Sequence, residues 1–589
     1  MPRAALIALA FTAACGGPQP AAPIVPRGQK LAAPLALDAT APGAVYLTMF
    51  AAHVQPNWAQ FLEDCRLRLP PTHPLNDATL AVVADVVIDR SGTVTLDGTR
   101  ASGNPDFDSA VRDVMADVRS VEPPPTDLLG DDDRLHLEWT FARDMRQAGP
   151  ATARMVPVRQ DVVAVTRRLL AQHELPRAAR RIARALDDAG RADAARLVAL
   201  AVLEEALAGS VDVRVAAITA IDDANLTEFA PSLRVLLDGA NDTHVRLAVV
   251  KALGNLRDTA SADRLFGRLS ADLAGDEALA LADLEALKLL ETSTRASGVV
   301  KTALLAASRD ANSLSFIIAL HAHALAPWPN LDAKFEQWFT TGSPQVRAAV
   351  CESQPFETSK RMVALIGRGL RDADASVRAS CAGAAGEQLR FTFARSTRSP
   401  TMLALEQQLR GLVRDRDQNV RARALSSLSR ARPMDLEHGS ERSKTDSVLF
   451  VDGATDASAD VRLSAIGGLE PAQLIPLLDD PDPRIRSRAL AMLGARGGEH
   501  AARLAKDPDA RVRRAAVFVT DDQTLLAALA ASDSYDVSSE ALVKLAQLRG
   551  QAASTSDLML AIAAAPVASA ERVRLALAWL LAAIPPSFP

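Results

Sequence analysis

Asp374-Ala375-Ser376-Val377-Arg378 is the stretch that decides the fold, because the same signature returns along the chain. An acidic or small residue is followed by two others, then by Val-Arg leading into an Ala/Leu-rich helix. Copies stand at Asp242 to Val245-Arg246, Ser343 to Val346-Arg347, Asp417 to Val420-Arg421 and Ser458 to Val461-Arg462. Two more run from Asp482 to Ile485-Arg486 and from Asp509 to Val512-Arg513. A degenerate early copy sits at Val213-Arg214 and a late one at Asp533 to Val537. Successive copies lie 24 to 43 residues apart, except for one gap of 101 that degenerate repeats of about 34 would fill. Periods of this size mean a solenoid.

The signature has a physical logic. Asp or Ser is an N-cap, accepting hydrogen bonds from the first free amides of the helix it opens. Val or Ile is buried between layers, and the alanines that follow let helices approach closely. Arg is expected to reach the acidic cap of the next repeat and so form a ladder. Val245, Arg246, Val346, Arg347, Val377, Arg378, Val420, Arg421, Val461, Arg462, Ile485, Arg486, Val512 and Arg513 are therefore structural residues.

Composition agrees with this reading. The chain has 589 residues, too many for one compact core. Aromatic residues are only 4% of it, with 2 Tyr and 5 Trp, so the bulk is helical rather than a sandwich or barrel. A net charge of −5 argues against a general nucleic-acid binder. Four cysteines exclude a disulfide scaffold.

The repeated residues resemble HEAT repeats of the short D-x-x-V-R type over about 210–550. The resemblance implies a continuous surface offered to other proteins. Some repeats of this type occur in bilin lyases, but nothing in this sequence supports such chemistry. Residues 157–208 read as lead-in helices and Arg572 to Ile584 as a terminal helix.

The N-terminus sets the expected compartment. Arg3 and an uncharged run from Ala4 to Ala14 have the layout of a secretory signal, too short to span a bilayer. Thr12-Ala13-Ala14-Cys15 resembles a bacterial lipobox, with Thr12 in place of the commoner Leu. The resemblance implies lipidation of Cys15, and Gly16 after it implies the outer membrane of a Gram-negative cell. A plain signal peptide with an incidental cysteine is the other reading. Prolines at 18, 20, 23, 26, 34 and 42 make a semi-extended tether.

Between tether and repeats the pattern changes. Tyr46 to Leu69 reads as a helix, and Thr79 to Arg90 and Thr93 to Ala101 as two strands around Ser91-Gly92. Asn104-Pro105 opens a helix with Phe107, Ala110, Val111, Val114 and Val118 on one face, stopped by Pro123 to Pro125. A last strand runs from Asp133 to Arg143. With Tyr46, Trp58, Val86 to Val94, Ser102-Gly103, Phe107-Asp108 and Trp139-Thr140-Phe141, this order resembles the C-terminal domain of the TonB/TolA family. The resemblance implies binding: a partner's extended segment adds a strand along the edge Leu135, His136, Leu137, Glu138, Trp139, Thr140 and Phe141. The family's uncleaved membrane helix and long stalk are missing, which puts energy transduction by this chain alone in doubt.

No G-x-G-x-x-G, Walker A, H-E-x-x-H, G-x-S-x-G or paired C-x-x-C motif occurs. His321 and His323 do not share a helix face, so they read as a partly exposed pair rather than a metal site. Asp479-Asp480-Pro481-Asp482 reads as capping, not calcium binding. Cys351 and Cys381 sit in adjacent repeats whose helices ordinarily lie ~8–10 Å apart, so free buried thiols are expected, and Cys65 has no obvious mate. Arg177, Arg180, Arg181 and Arg184 share one helix side, which reads as a solvated face or as a contact for anionic lipid or an acidic partner.

The expected protein is mostly α, a HEAT-type α-solenoid preceded by a small α+β TonB-C-like domain. Its divisions are a lipoprotein signal peptide at 1–14, a Pro/Ala-rich tether at 15–43, the TonB-C-like domain at 44–145 and the solenoid at 150–589. The expected function is that of a palmitate-bearing periplasmic scaffold, not an enzyme. It would bind envelope proteins and attach to the membrane by lipid, with no cofactor, metal, nucleic acid or small-molecule substrate. A component of an energised transport or motility system with a separate motor is the alternative.

Overall fold

The computed structural model describes residues 42–144, 153–155, 158–186, 188–239, 242–310, 313–328, 330–353, 359–392, 399–431 and 441–583. The signal segment 1–14, Cys15 and the tether up to residue 41 lie outside the described residues. The chain divides into two compact units, Met1–Val198 and Ala199–Pro589.

In the first unit, helix α1 (Pro42–Arg68) precedes strands β1 (Ala81–Ile88) and β2 (Val94–Arg100), helix α2 (Pro105–Asp117) and strand β3 (Leu135–Ala142). Strand β4 (Ala153–Met155) and helices α3 (Val162–Ala171) and α4 (Leu175–Arg184) follow. The antiparallel sheet has the order β2-β1-β3-β4. The β1–β2 turn is tight because Asp89 Oδ1 accepts from the backbone N–H groups of Ser91 and Thr93. Gly92 has φ 87°, and a Cβ there would fall 2.1 Å from the Val121 carbonyl oxygen, so only glycine fits. Asn104 caps α2 and Pro105 occupies its first turn, as the sequence led us to expect.

The core of this unit is aromatic. The Trp58 ring meets Phe107 and Phe141 edge-on at centroid distances of 5.3 and 5.1 Å, and Phe50 meets Trp139 at 5.2 Å. Aromatic residues are thus concentrated where α1 and α2 cover the sheet.

The second unit is an array of paired helices. One row consists of α5 (Val211–Asp223), α6 (Thr243–Asn255), α7 (Glu277–Leu289), α8 (Leu314–Leu325), α9 (Pro344–Glu352) and α10 (Ala375–Thr392). It continues with α11 (Gln418–Arg430), α12 (Ala459–Ala465), α13 (Pro483–Leu493), α14 (Ala510–Val519), α15 (Tyr535–Arg549) and α16 (Ala570–Leu581). Each helix of this row packs on the next, and α16 packs on both α15 and α5. The row therefore closes on itself within this unit. The 101-residue gap holds two further copies, capped by Asp276 and Ser313. Leu279 and Phe316 take the buried Val position, but Ala280 and Ile317 replace Arg, which is why the signature is hidden there.

The seven signature Val and Ile residues are all at most 1% exposed. Their arginines form the expected ladder, with one correction. Arg347, Arg378, Arg421, Arg462 and Arg486 reach Asp372, Asp415, Asp456, Asp480 and Asp507 through paired hydrogen bonds of 2.7–3.0 Å. These aspartates are not the caps but stand two residues before them. The reason is geometric: the cap carboxylate is turned onto its own helix, as Asp374 Oδ1 is onto the Ser376 amide. Asp372 instead bridges the Arg347 fork and the backbone N–H of Asp374.

Burial alone would raise the carboxyls of Asp372, Asp415 and Asp507, but the arginine hydrogen bonds outweigh it and hold all three below the usual carboxylate range. A depressed carboxyl adds stability above its unfolded value of ~3.9 and loses it as pH falls through the folded value. Acid unfolding of the array is therefore expected to begin below about pH 4. Arg378→Ala, which leaves the half-buried Asp415 without its fork, should cost about 3 kcal/mol and flatten that acid limb in pH-dependent urea titrations.

The expectation of free thiols at Cys351 and Cys381 is overturned. The two are disulfide-bonded, with Cα atoms 5.0 Å apart and a sequence separation of 30. The average helix spacing misled because α9 and α10 meet through small side chains, including Ala349, Ala382 and Ala385. Gly369 lies so close that a Cβ there would fall 2.1 Å from Cys381 Sγ. Cys65 is free and buried.

Candidate functional site

The strand-addition edge is not open along its whole length. β3 is flanked by β1 on one side, and on the other by β4, which pairs Leu137 with Met155, Glu138 with Arg154 and Trp139 with Ala153. From sequence alone 135–141 reads as a free edge, because the three residues of β4 carry too little periodicity to mark a strand. Leu135, Leu137, Trp139 and Phe141 point into the core, while His136, Glu138 and Thr140 are half-buried on the opposite face. His136 Nε2–H donates to Asp132 Oδ2 at 2.8 Å, and Glu138 pairs with Arg100 at 2.9 Å.

The arginine face of α4 is neither solvated nor free for lipid. Arg181 binds Asp131 at 2.7 Å, Arg180 binds Asp127 at 3.1 Å, and Arg177 pairs with Asp133 and donates to the Gly130 carbonyl at 3.1 Å. The acidic partner is thus the loop before β3, so α4 packs within the first unit, and only Arg184 of the four is exposed.

The histidine pair is likewise split. His323 is buried rather than partly exposed, lying 3.0 Å from the Ser353 carbonyl and within reach of the Trp328 backbone. His321 lies between Glu277 at 2.6 Å and Glu352 at 3.1 Å. Burial opposes its charge, but its hydrogen bonds to Glu352 and Glu277 prevail and raise its pKa. Among the described residues there is no group of three or more His, Cys, Asp or Glu suited to a metal ion. Asp482 caps α13, Asp480 serves the ladder and Asp479 pairs with Arg503 at 2.7 Å, which accounts for the acidic cluster.

Sequence reasoning missed a buried carboxyl pair. Asp283 on α7 is 1% exposed and lies against Asp272, which accepts the Arg246 guanidinium at 3.1 Å. Burial first, then the hydrogen bond and charge of Asp272, raise the Asp283 carboxyl far above the usual range. Burial beside Asp272 thus favours the protonated form of Asp283. A raised folded value means stability is lost as pH climbs from the unfolded value toward the folded one. Asp283→Asn keeps a donor without a titrating proton, so its Tm should exceed that of the parent at pH 8 and converge with it toward pH 4.

The same two-part division emerges from comparison with known proteins. Residues 45–141 match the TonB C-terminal family model, and residues 200–288 match the HEAT repeat model. The chain joins a TonB-like domain to HEAT repeats. No curated protein matches the sequence. Among solved structures, an engineered protein is 16% identical, with 62% of this chain and 98% of that one covered and a TM-score of 0.22. Importin beta is also 16% identical, with 60% of this chain covered and a TM-score of 0.29; the match takes in 51% of the importin beta chain. No helix among the described residues is long and apolar enough to cross a membrane.

Proposed function

We propose that the protein is a lipid-anchored scaffold on the periplasmic side of the outer membrane. The TonB-like domain would bind an envelope protein by strand addition and the HEAT repeats would bind others, without catalysis. The observation that carries this reading is the joining of two interaction-type domains as separate compact units of one chain. The Cys351–Cys381 disulfide supports it, because such bonds persist in oxidising compartments such as the periplasm. The lipobox ending at Cys15 supports the anchor. On this reading a partner strand takes the place of β4 along Leu137 to Trp139, a short pairing that a longer segment can outcompete.

Affinity capture from membranes, with and without residues 44–145, tests the scaffold. The deletion should remove one set of partners and leave another; an unchanged set would refute the role of the TonB-like domain. Metabolic palmitate labelling should be abolished by Cys15→Ala, and labelling that persists would refute the anchor.

A further inference from the structure

Where the helix row closes, α5, α15 and α16 border a groove of about 750 Å³, with α6 and α14 at its margins. Its floor is apolar, formed by Val215, Ala216, Val543, Leu577 and Leu581. Its walls carry Asp212, Asp223, Asp536 and Glu540 against a single arginine, Arg514. Glu540 is taken by Arg514 at 3.0 Å. The other three carboxylates have no ion-pair or side-chain hydrogen-bond partner among the described residues. All three are exposed at the groove rim, unlike the ladder aspartates, each of which is met by an arginine. The groove also runs on. Through Arg514 and Asp536 it meets a second groove of about 550 Å³ along α13 and α14, walled by Arg488 and Arg511 with Phe518.

From this geometry we infer that the closure groove binds a peptide segment of a partner protein that carries lysine or arginine side chains among apolar ones. The inference rests on the reading of the repeats as a protein-binding array and names the chemistry of the partner. Three carboxylates without a close ion pair, of which Asp223 feels Lys251 and Arg514 only at longer range, stand over an apolar floor and ask for cationic groups on an apolar body. Continuity with the second groove favours an elongated chain over a compact ligand, since a ligand filling one pocket would leave the other unused. The arginines of the second groove orient the segment, cationic end toward α5 and any acidic flank toward α13. Desolvation and the neighbouring charges of Asp222 and Glu540 raise the Asp223 carboxyl against the lowering pull of Lys251 and Arg514, so a further bound cation would lower it again.

The test is fluorescence anisotropy on the full chain, with a short labelled peptide of alternating leucine and lysine as probe. Combined Asp212→Asn, Asp223→Asn and Asp536→Asn should weaken binding about tenfold or more, equivalent to ~1.4 kcal/mol. The charge-matched control, Asp97→Asn with Asp106→Asn and Asp557→Asn at exposed positions outside the groove, should bind as the parent does. Far-UV circular dichroism checks that each variant is folded, and binding of a leucine–glutamate peptide by an Asp212→Lys, Asp536→Lys variant would confirm the site independently. Equal weakening by both triple variants, or no weakening by either, would overturn the proposal. So would octylamine binding as tightly as the peptide, which would make the occupant a small amphiphilic cation. If peptide binding fails while membrane capture still recovers partners, the groove is refuted and the scaffold stands; if capture also fails, both fall.

Discussion

Glu205→Ala should cost the second unit about 3–5 kcal/mol, the expected penalty for leaving a buried charge without its partner. Arg572 is 2% exposed and stands at the position where the repeat signature has a buried Val. Its guanidinium meets Glu205 Oε1, on the helix Arg191–Leu207 that precedes α5, at 3.3 Å and the Ala565 carbonyl at 2.5 Å. Glu205 also accepts the backbone N–H of Ala568 at 2.5 Å, where the chain turns at φ 47° into α16. A non-glycine residue at such an angle costs free energy unless its surroundings hold it, and Glu205 is what holds it. Removing the carboxylate therefore strips the counter-charge from Arg572 and the tie from Ala568 together. Repeat arrays unfold in parts when a neighbour contact is lost, so hydrogen exchange should accelerate in α5 and α16 while α9 to α11 keep their protection. Uniform exchange across the row, or an unchanged Tm, would show that the closure does not rest on this contact. Glu205→Gln, which can still accept from Ala568, should cost less.

The second large effect belongs to the disulfide. A loop of 30 residues closed between Cys351 and Cys381 should contribute about 3–4 kcal/mol by restricting the unfolded chain. Cys351→Ser with Cys381→Ser should lower the urea midpoint by at least this much, and reduction of the parent should lower it by somewhat less. Both sulfurs are fully buried, so the substituted hydroxyls add a desolvation cost that Cys→Ala variants avoid. Mass spectrometry after alkylation, without reduction, should find Cys65 modified only on unfolding and the other two not at all. Alkylation of Cys351 or Cys381 before reduction would refute the bond and remove its support for an oxidising compartment.

The repeats were legible because their chemistry is local. A cap, a buried branched residue and an arginine recur at fixed offsets, each required by a helix start that every repeat makes in the same way. Where that requirement relaxed, at Asp276 to Ala280 and Ser313 to Ile317, the cap and the buried residue persisted, but without arginine the copies could not be picked out. The small domain was legible for the same reason. Asn104-Pro105, Ser91-Gly92 and the alternation of Leu135 to Phe141 each report on their own few neighbours.

By itself, then, the sequence determined the helix pairs and the order of a TonB-like domain followed by HEAT repeats, since caps, turns and periodic apolar faces act over a few residues. Helices α3 and α4, expected to lead into the solenoid, fall instead in the first unit. Tertiary structure alone decided the rest. It set the ladder on Asp372 and its equivalents rather than on the caps, placed β4 along β3, and gave the α4 arginines their acidic loop. It brought Cys351 to Cys381 because small side chains let two helices approach more closely than average. And it joined α16 to α5, making a groove from residues more than three hundred positions apart, a distance over which no local propensity carries information.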